Sequence, residues 1–378
     1  MFGRIIQFLD YIYPKDSRII LFGSNSGRVM TGSTKELFRS IKEHYPKYRP
    51  FFHVRKPTKP NEINVLTLRG LIIYLKAKSL VSSHGCYDFQ FLRNSRRKIH
   101  VTTWHGLPLK AIGLAIQGLT RNQLKGILEY SSLVDYYICG SNYEMRVLSA
   151  LLGFDISSAW SIGIPRNDYL TQVTSSTKRI LPQIIPGMST DSKVLLYAPT
   201  YRAPTDSNKD ARVRLFPFDD MNLANLSEFL DANDAYILIR MHINDKATRA
   251  LLDNPRILEF GFNVLSDVNP ILPEVDIVIT DYSSIMYDFL LLDRPVIFIP
   301  YDLDEYMKNP GLIVDDFDYW TPGIKVSHLK ELISYSDDMF KGKPDPFSFH
   351  RERIRKIIHS HQTPNTTSRF VANLEQLL

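Results

Sequence analysis

VDIVITDYSSIMYDFLLLDRPVIFIPYD (Val275–Asp302) reads as strand, turn, helix and strand in succession. Ile277–Thr280 is a short apolar, β-branched run, as expected of a strand buried on both faces. Asp281 and Tyr282 end it. Ser283 and Ser284 then open a helical pattern whose apolar face carries Ile285, Met286, Phe289 and Leu290. Pro295 stops that helix, and a second apolar run follows. Two strands joined through a helix pair in parallel, because a parallel pair needs a crossover that covers the sheet.

The same alternation extends in both directions. RIILFGS (Arg18–Ser24), PFFHVR (Pro50–Arg55), KIHVTTWHG (Lys98–Gly106), KVLLYAPTYR (Lys193–Arg202) and AYILIRMH (Ala235–His242) are strand-like runs that end in polar or turn residues. Helical patterns stand between them, such as TKELFRSIKEH with Leu37, Phe38 and Ile41 on one face. LRGLIIYLKAKSLVSSHG (Leu68–Gly85) reads as a helix running into a strand, and LVDYYICGSNYEMRVLSALLG as a strand, a Gly-Ser turn and a helix. The expected class is α/β, with parallel sheets covered on both faces. A chain of 378 residues exceeds what one core normally holds. TQVTSSTKRILPQIIPGMSTDSK (Thr171–Lys193) is rich in Ser, Thr and Pro and reads as a linker. The pattern predicts an N-terminal domain over residues 1–180, a C-terminal domain over 190–350 and a helical segment over 351–378.

Composition narrows the class. With 44% hydrophobic and 23% charged residues the chain is globular. Cys86 and Cys139 form no C-x-x-C pattern, which argues against a disulfide framework or a structural zinc site and for a reducing compartment. The net charge of +6 is partly local, in Arg55, Lys56 and Lys59, in Arg93, Arg96, Arg97 and Lys98, and in RERIRK near the C-terminus. Such clusters attract phosphates or an anionic membrane surface. They lack interleaved aromatic residues, so nucleic acid is not an expected partner. The opening residues carry no secretory signal pattern. Ile5, Phe8, Leu9 and Ile12 predict a short amphipathic helix, expected to dock on the core rather than on a membrane.

Ligands of open α/β sheets bind outside the carboxyl ends of the strands. His84, His105, Ser141, Thr200–Arg202, Arg240–His242 and Asp281–Ser284 all fall at predicted strand ends. Ser283 and Ser284, at a helix start, can offer hydroxyls and amides to a phosphate. Arg202 follows a Pro-stiffened turn and could grip phosphate oxygens with two bonds. Arg240 and His242 lie two apart, on one face of a strand end, as a diphosphate site would require. In TWHGLPLKAIG, Gly106 and Pro108 turn the chain directly after His105. An imidazole titrates near pH 6.5, so one presented there can accept a proton from a hydroxyl at neutral pH. No P-loop, G-x-G-x-x-G or G-x-S-x-G motif is present, which disfavours a P-loop NTPase, a dehydrogenase and a hydrolase triad.

Taken together, TWHGLPLKAIG, YAPTYR, RMH, DIVITDYSSIMYDF, RPVIFIPYDLDEY and FDYWTPG resemble, in order and spacing, the CDP-glycerol glycerophosphotransferases of bacterial teichoic-acid synthesis. The likeness covers about Arg18–Lys341. It implies a GT-B fold, two Rossmann-like domains facing across a cleft, with the donor on the C-terminal half. The implied reaction moves glycerol phosphate from CDP-glycerol to a hydroxyl of a lipid-linked acceptor and releases CMP. Relatives use CDP-ribitol. The resemblance assigns His105 as general base, Arg202 and His242 to the diphosphate, and Ser283 and Ser284, with Asp281 beside them, to the donor phosphate. His84 and Lys110 are expected on the acceptor side. Where the family usually has Thr after the His-Gly pair this chain has Leu107, and where it often has a second Lys it has Ala111. No cofactor is implied; no D-x-D pair stands out in a cleft position, and a divalent-metal requirement stays open at this level. The expected location is the cytoplasmic face of the cell membrane, peripherally bound. Two rivals remain at this level: a GT-B glycosyltransferase using a nucleotide sugar, and a nucleic-acid-binding module.

Overall fold

The structure is a computed structural model that describes residues 2–173, 179–200, 202, 213–241 and 253–378. The chain divides into two compact units. Unit 1 comprises Met1–Leu107, Ile112–Gln172 and Ile357–Leu378; unit 2 comprises Pro108–Ala111 and Val173–Lys356.

In unit 1, among the described residues, the strands are β1 (Asp16–Gly23), β2 (Arg49–His53), β3 (Glu62–Ile63), β4 (Ala77–Ser82), β5 (Ile99–Thr102), β6 (Tyr136–Cys139) and β7 (Ala159–Ser161). They lie in the order β3-β2-β1-β4-β5-β6-β7. Every pairing is parallel. β1 shows why its sequence is continuously apolar. Ile20 and Phe22 pack into the core on one face, with Leu37, Phe38 and Phe52. Ile19 and Leu21 pack into the core on the other, with Tyr74, Leu80 and Phe89. Alternate side chains of one strand thus fill two different layers.

Unit 2 repeats the plan with β8 (Lys193–Ala198), β9 (Ala235–Ile239), β10 (Ile257–Glu259), β11 (Ile277–Thr280), β12 (Val296–Phe298) and β13 (Ile324–Lys325). Their order is β10-β9-β8-β11-β12-β13, again all parallel. Strand order reverses between β1 and β4 in unit 1, and between β8 and β11 in unit 2. Those reversals open a crevice at the carboxyl edge of each sheet.

Three features differ from the expectations. Pro108–Ala111 joins unit 2, because it pairs with Gly311–Ile313: Ala111 N–H donates to Gly311 O at 2.8 Å and Ile313 N–H to Leu109 O at 2.9 Å. The C-terminal helix Thr366–Glu375 is no separate segment; Phe370, Val371 and Leu374 fill the core of unit 1. The helix Phe2–Ile12 does dock, through Ile6, Asp10 and the expected Leu9, which packs partly buried against the core. Asp10 accepts from Ser95 N–H at 2.7 Å and pairs with Lys15 at 2.8 Å and Lys98 at 2.9 Å. Burial lowers the pKa of Lys98 to about 7 despite that carboxylate. Ile5, Phe8 and Ile12, expected on the core, point outward and are exposed.

Candidate active site

In unit 1 the site begins at the β1/β4 reversal. β4 ends at Ser82, and Ser83-His84-Gly85 follows. The fully buried Asp88 organises this loop. Its carboxylate accepts from Ser26 N–H (2.9 Å), Ser83 N–H (2.7 Å), His84 N–H (2.7 Å) and the Ser83 hydroxyl (2.9 Å). Gly85, at φ 55°, cannot carry a side chain, because a Cβ there would meet the Tyr130 ring at 2.5 Å.

β5 ends at Thr102, and Trp104 takes φ 50°. A left-handed conformation costs a bulky residue of the order of 1–3 kcal/mol, and such strain concentrates at functional sites. Trp104 is buried, with an indole N–H that has no protein partner among the described residues. Gly106 follows at φ 119°. Between them His105 is turned outward and exposed. Its ring lies 4.1 Å from the Trp104 ring and 4.6 Å from the His84 ring, nearly parallel to the latter at 11°. Its Nδ1 faces the Ser83 carbonyl at 3.5 Å. The sequence expectation placed His105 at a strand end next to a turn, and the structure puts it there, beside His84.

In unit 2 the β8/β11 reversal brings Thr200, Arg202 and Asp281 together. Asp281 is buried and accepts from Thr200 N–H (2.8 Å), Tyr282 N–H (2.5 Å) and Arg202 Nη2 (2.9 Å). Burial raises its pKa, and the Arg202 charge only partly opposes this. Arg202 grips Asp302 with two bonds, Nε to Oδ2 at 2.7 Å and Nη2 to Oδ1 at 2.9 Å, and donates from Nη1 to the Thr200 carbonyl at 2.7 Å. Its guanidinium also lies over the rings of Tyr282, Tyr301 and Tyr306. Burial alone would lower its pKa; the bonds to Asp302 and the charge of Asp281 outweigh that and raise it. The guanidinium expected to face a diphosphate is thus held by two carboxylates, Asp281 and Asp302.

Arg240 also has partners within unit 2. It is buried and donates to the carbonyls of Phe260 (3.2 Å), Leu265 (2.5 Å) and Ser266 (3.3 Å), stacking on Phe262 at 4.1 Å. Burial lowers its pKa to about 10, while Asp267 works the other way. It gathers a loop. His242, its expected companion, lies outside the described residues. Ser283 and Ser284 are partly buried and precede a helix of five residues, Ile285–Phe289. Ser284 occupies the N-cap position without a side-chain cap bond, and Ser283 Oγ lies 3.5 Å from Ile285 N. Lys110 is exposed and belongs to unit 2, where its backbone bridges to Leu312, so it does not share a unit with His105. Ser141 caps a helix, accepting from Glu144 N–H at 3.0 Å, which accounts for its place at a strand end.

Asp88, Trp104 and Asp302 were not legible as site residues. Among the described residues no group of three or more His, Cys, Asp or Glu side chains has an arrangement that could hold a metal ion.

A family model described as CDP-Glycerol:Poly(glycerophosphate) glycerophosphotransferase matches residues 5–373. The teichoic acid poly(glycerol phosphate) polymerase of Bacillus subtilis (strain 168) is 26% identical over 334 residues, 85% of this chain and 44% of that protein. This chain thus spans less than half the length of that relative. The teichoic acid ribitol-phosphate polymerase TarL of Staphylococcus aureus (strain NCTC 8325 / PS 47) is 24% identical over 395 residues, 99% of this chain and 65% of that protein. Among solved structures, the wall teichoic acid polymerase TagF superposes with a TM-score of 0.79 at 22% identity, covering 100% of this chain and 94% of that one. That likeness, with the two parallel sheets, establishes a GT-B-type α/β fold.

Proposed function

This chain belongs to the CDP-glycerol:poly(glycerophosphate) glycerophosphotransferase family, and we propose that it transfers glycerol phosphate from CDP-glycerol to a hydroxyl of a lipid-linked cell-wall glycopolymer, releasing CMP. The observation that carries this reading is His105, held outward at the end of β5 by a strained Trp104 and a Gly106 that no other residue replaces easily. The Ser83 carbonyl lies opposite Nδ1, which assigns the incoming proton to Nε2.

The step balances simply. The acceptor O–H gives its proton to His105. The oxygen attacks the glycerol-bearing phosphorus of the donor, and the bond to the bridging oxygen breaks. CMP departs with the electron pair, and a phosphodiester forms. Charge builds on the phosphoryl oxygens, so fixed donors around them lower the barrier. Ser283 and Ser284 remain the candidates to contact the donor phosphate in unit 2, with His242. Arg202 and Asp281 act one layer back. They tie the turn after β8 to the turn after β11, on which Ser283 and Ser284 stand.

A donor comparison tests this. CDP-glycerol, CDP-ribitol and several nucleotide sugars are each supplied with a lipid-linked acceptor. CDP-glycerol is expected to yield CMP fastest. CDP-ribitol, the second reading, draws support from the ribitol-phosphate polymerases among the relatives, which match at lower identity. Release of a nucleoside diphosphate from a sugar donor would return the chain to the glycosyltransferase reading.

We place the enzyme at the inner, anionic membrane surface. Along Phe2–Ile12, Ile5 (48%), Phe8 (63%), Tyr11 (58%) and Ile12 (54%) are exposed. Arg97 donates to Tyr11 O, and the Arg93 side chain runs past Gly3, so basic groups flank the apolar side chains. Among the described residues no helix is long and apolar enough to cross a membrane. A short helix of this kind lies in the interface and gains from anionic lipid. Each buried Phe or Ile contributes roughly 1.5–3 kcal/mol. Phe8→Glu with Ile12→Glu is therefore expected to cut co-sedimentation with phosphatidylglycerol vesicles at least tenfold, leaving turnover of a water-soluble acceptor unchanged. Undiminished vesicle binding would remove this helix from the membrane contact.

A further inference from the structure

We propose that His84 is a positioning residue that holds the plane of the His105 imidazole; this rests on His105 being the general base. The two rings stack at 4.6 Å between centroids and 11° between planes. Offset parallel stacking at that distance restrains rotation about the second side-chain torsion, which for an imidazole is otherwise broad.

His84 is itself restrained. Its Nδ1 lies 2.8 Å from Ser83 Oγ, and that hydroxyl donates to Asp88 Oδ2 at 2.9 Å. The hydroxyl proton is committed to Asp88, so Ser83 Oγ accepts and His84 carries its proton on Nδ1. The His84 backbone N–H is bound to the same carboxylate at 2.7 Å. Ring and backbone are both tied to Asp88, which also takes the Ser26 N–H from the turn after β1. One buried carboxylate at the β1/β4 reversal thus fixes Ser83, whose hydroxyl meets His84 and whose carbonyl faces His105. Both imidazoles hang from the same residue, and the stack joins them. A base must stay within hydrogen-bond reach of its proton. An outward-facing ring on a turn gains most from such a brace.

The test uses the full chain with CDP-glycerol and a lipid-linked acceptor, reading kcat and KM separately. His84→Ala removes the brace and is expected to lower kcat ten- to a hundredfold, with donor and acceptor KM within about twofold. His84→Phe keeps a flat ring of similar reach without Nδ1, and is expected to restore most of the lost kcat. Thermal melts of both variants confirm folding; should His84→Ala fail to fold, His84→Phe against His84→Leu, a side chain without a flat ring, carries the same comparison. A raised acceptor KM with normal kcat would make His84 a substrate contact and overturn the proposal. Equal losses in the Ala and Phe variants would overturn it as well. His105→Ala serves as the parallel control. If that variant turns over normally, the reading of His105 itself falls; if it is inactive while His84→Ala is normal, only the positioning role falls.

Discussion

His105→Ala is expected to lower kcat by about 10² to 10⁴, the usual contribution of a well-placed general base. Donor affinity should stay within about twofold, and the melting temperature should not move. The structure supports all three parts. His105 is exposed, so its loss opens no cavity. It stands in unit 1, whereas the groups proposed for the donor phosphate stand in unit 2. What disappears is the proposed proton acceptor, together with its ring contacts to Trp104 and His84. Isothermal titration with CDP-glycerol, beside a CMP-release assay, separates the two effects. Weak donor binding with normal residual turnover would take the base role from His105.

The second large effect concerns stability. Arg202→Ala leaves Asp281 buried and Asp302 without its partner, next to three tyrosine rings. Breaking a buried ion pair from one side costs about 3–5 kcal/mol, because the remaining charge stays out of water. For a unit of this size that corresponds to a fall in melting temperature of roughly 10 °C. Arg202→Lys should recover only part of it, since one ammonium cannot reproduce a two-bond grip on Asp302 and a bond to Asp281. Differential scanning calorimetry gives the answer. A variant that melts like the parent yet binds CDP-glycerol poorly would restore Arg202 to the role of a direct diphosphate ligand.

Much of this fold is readable from the residues, for a physical reason. Parallel strands covered on both faces must be apolar throughout, so Ile277–Thr280 and Ile19–Phe22 stand out from their surroundings. The strand-end rule then picks out His84, His105 and Asp281 without any knowledge of contacts. What it does not contain is pairing. Nothing local marks the pair of Arg202 with Asp302, which is distant in the chain. Asp88 draws a donor from Ser26, also distant in the chain, and looks like an ordinary loop acid. Trp104 gives no hint of φ 50°, since a left-handed turn is usually announced by Gly or Asn. The helix Phe2–Ile12 shows its periodicity plainly, but periodicity cannot say which face meets the core. A single buried Asp10 with two lysines settled the matter the other way.

In the proposed reaction this chain moves a glycerol phosphate unit intact. The direct measurement supplies CDP-glycerol labelled in the glycerol carbon and in the adjacent phosphorus, together with a lipid-linked acceptor. Both labels should enter the lipid fraction in equal amounts, mole for mole with CMP, and His105→Ala should slow the transfer by about 10² to 10⁴. Transfer of carbon label without phosphorus, or appearance of CDP in place of CMP, would contradict the account.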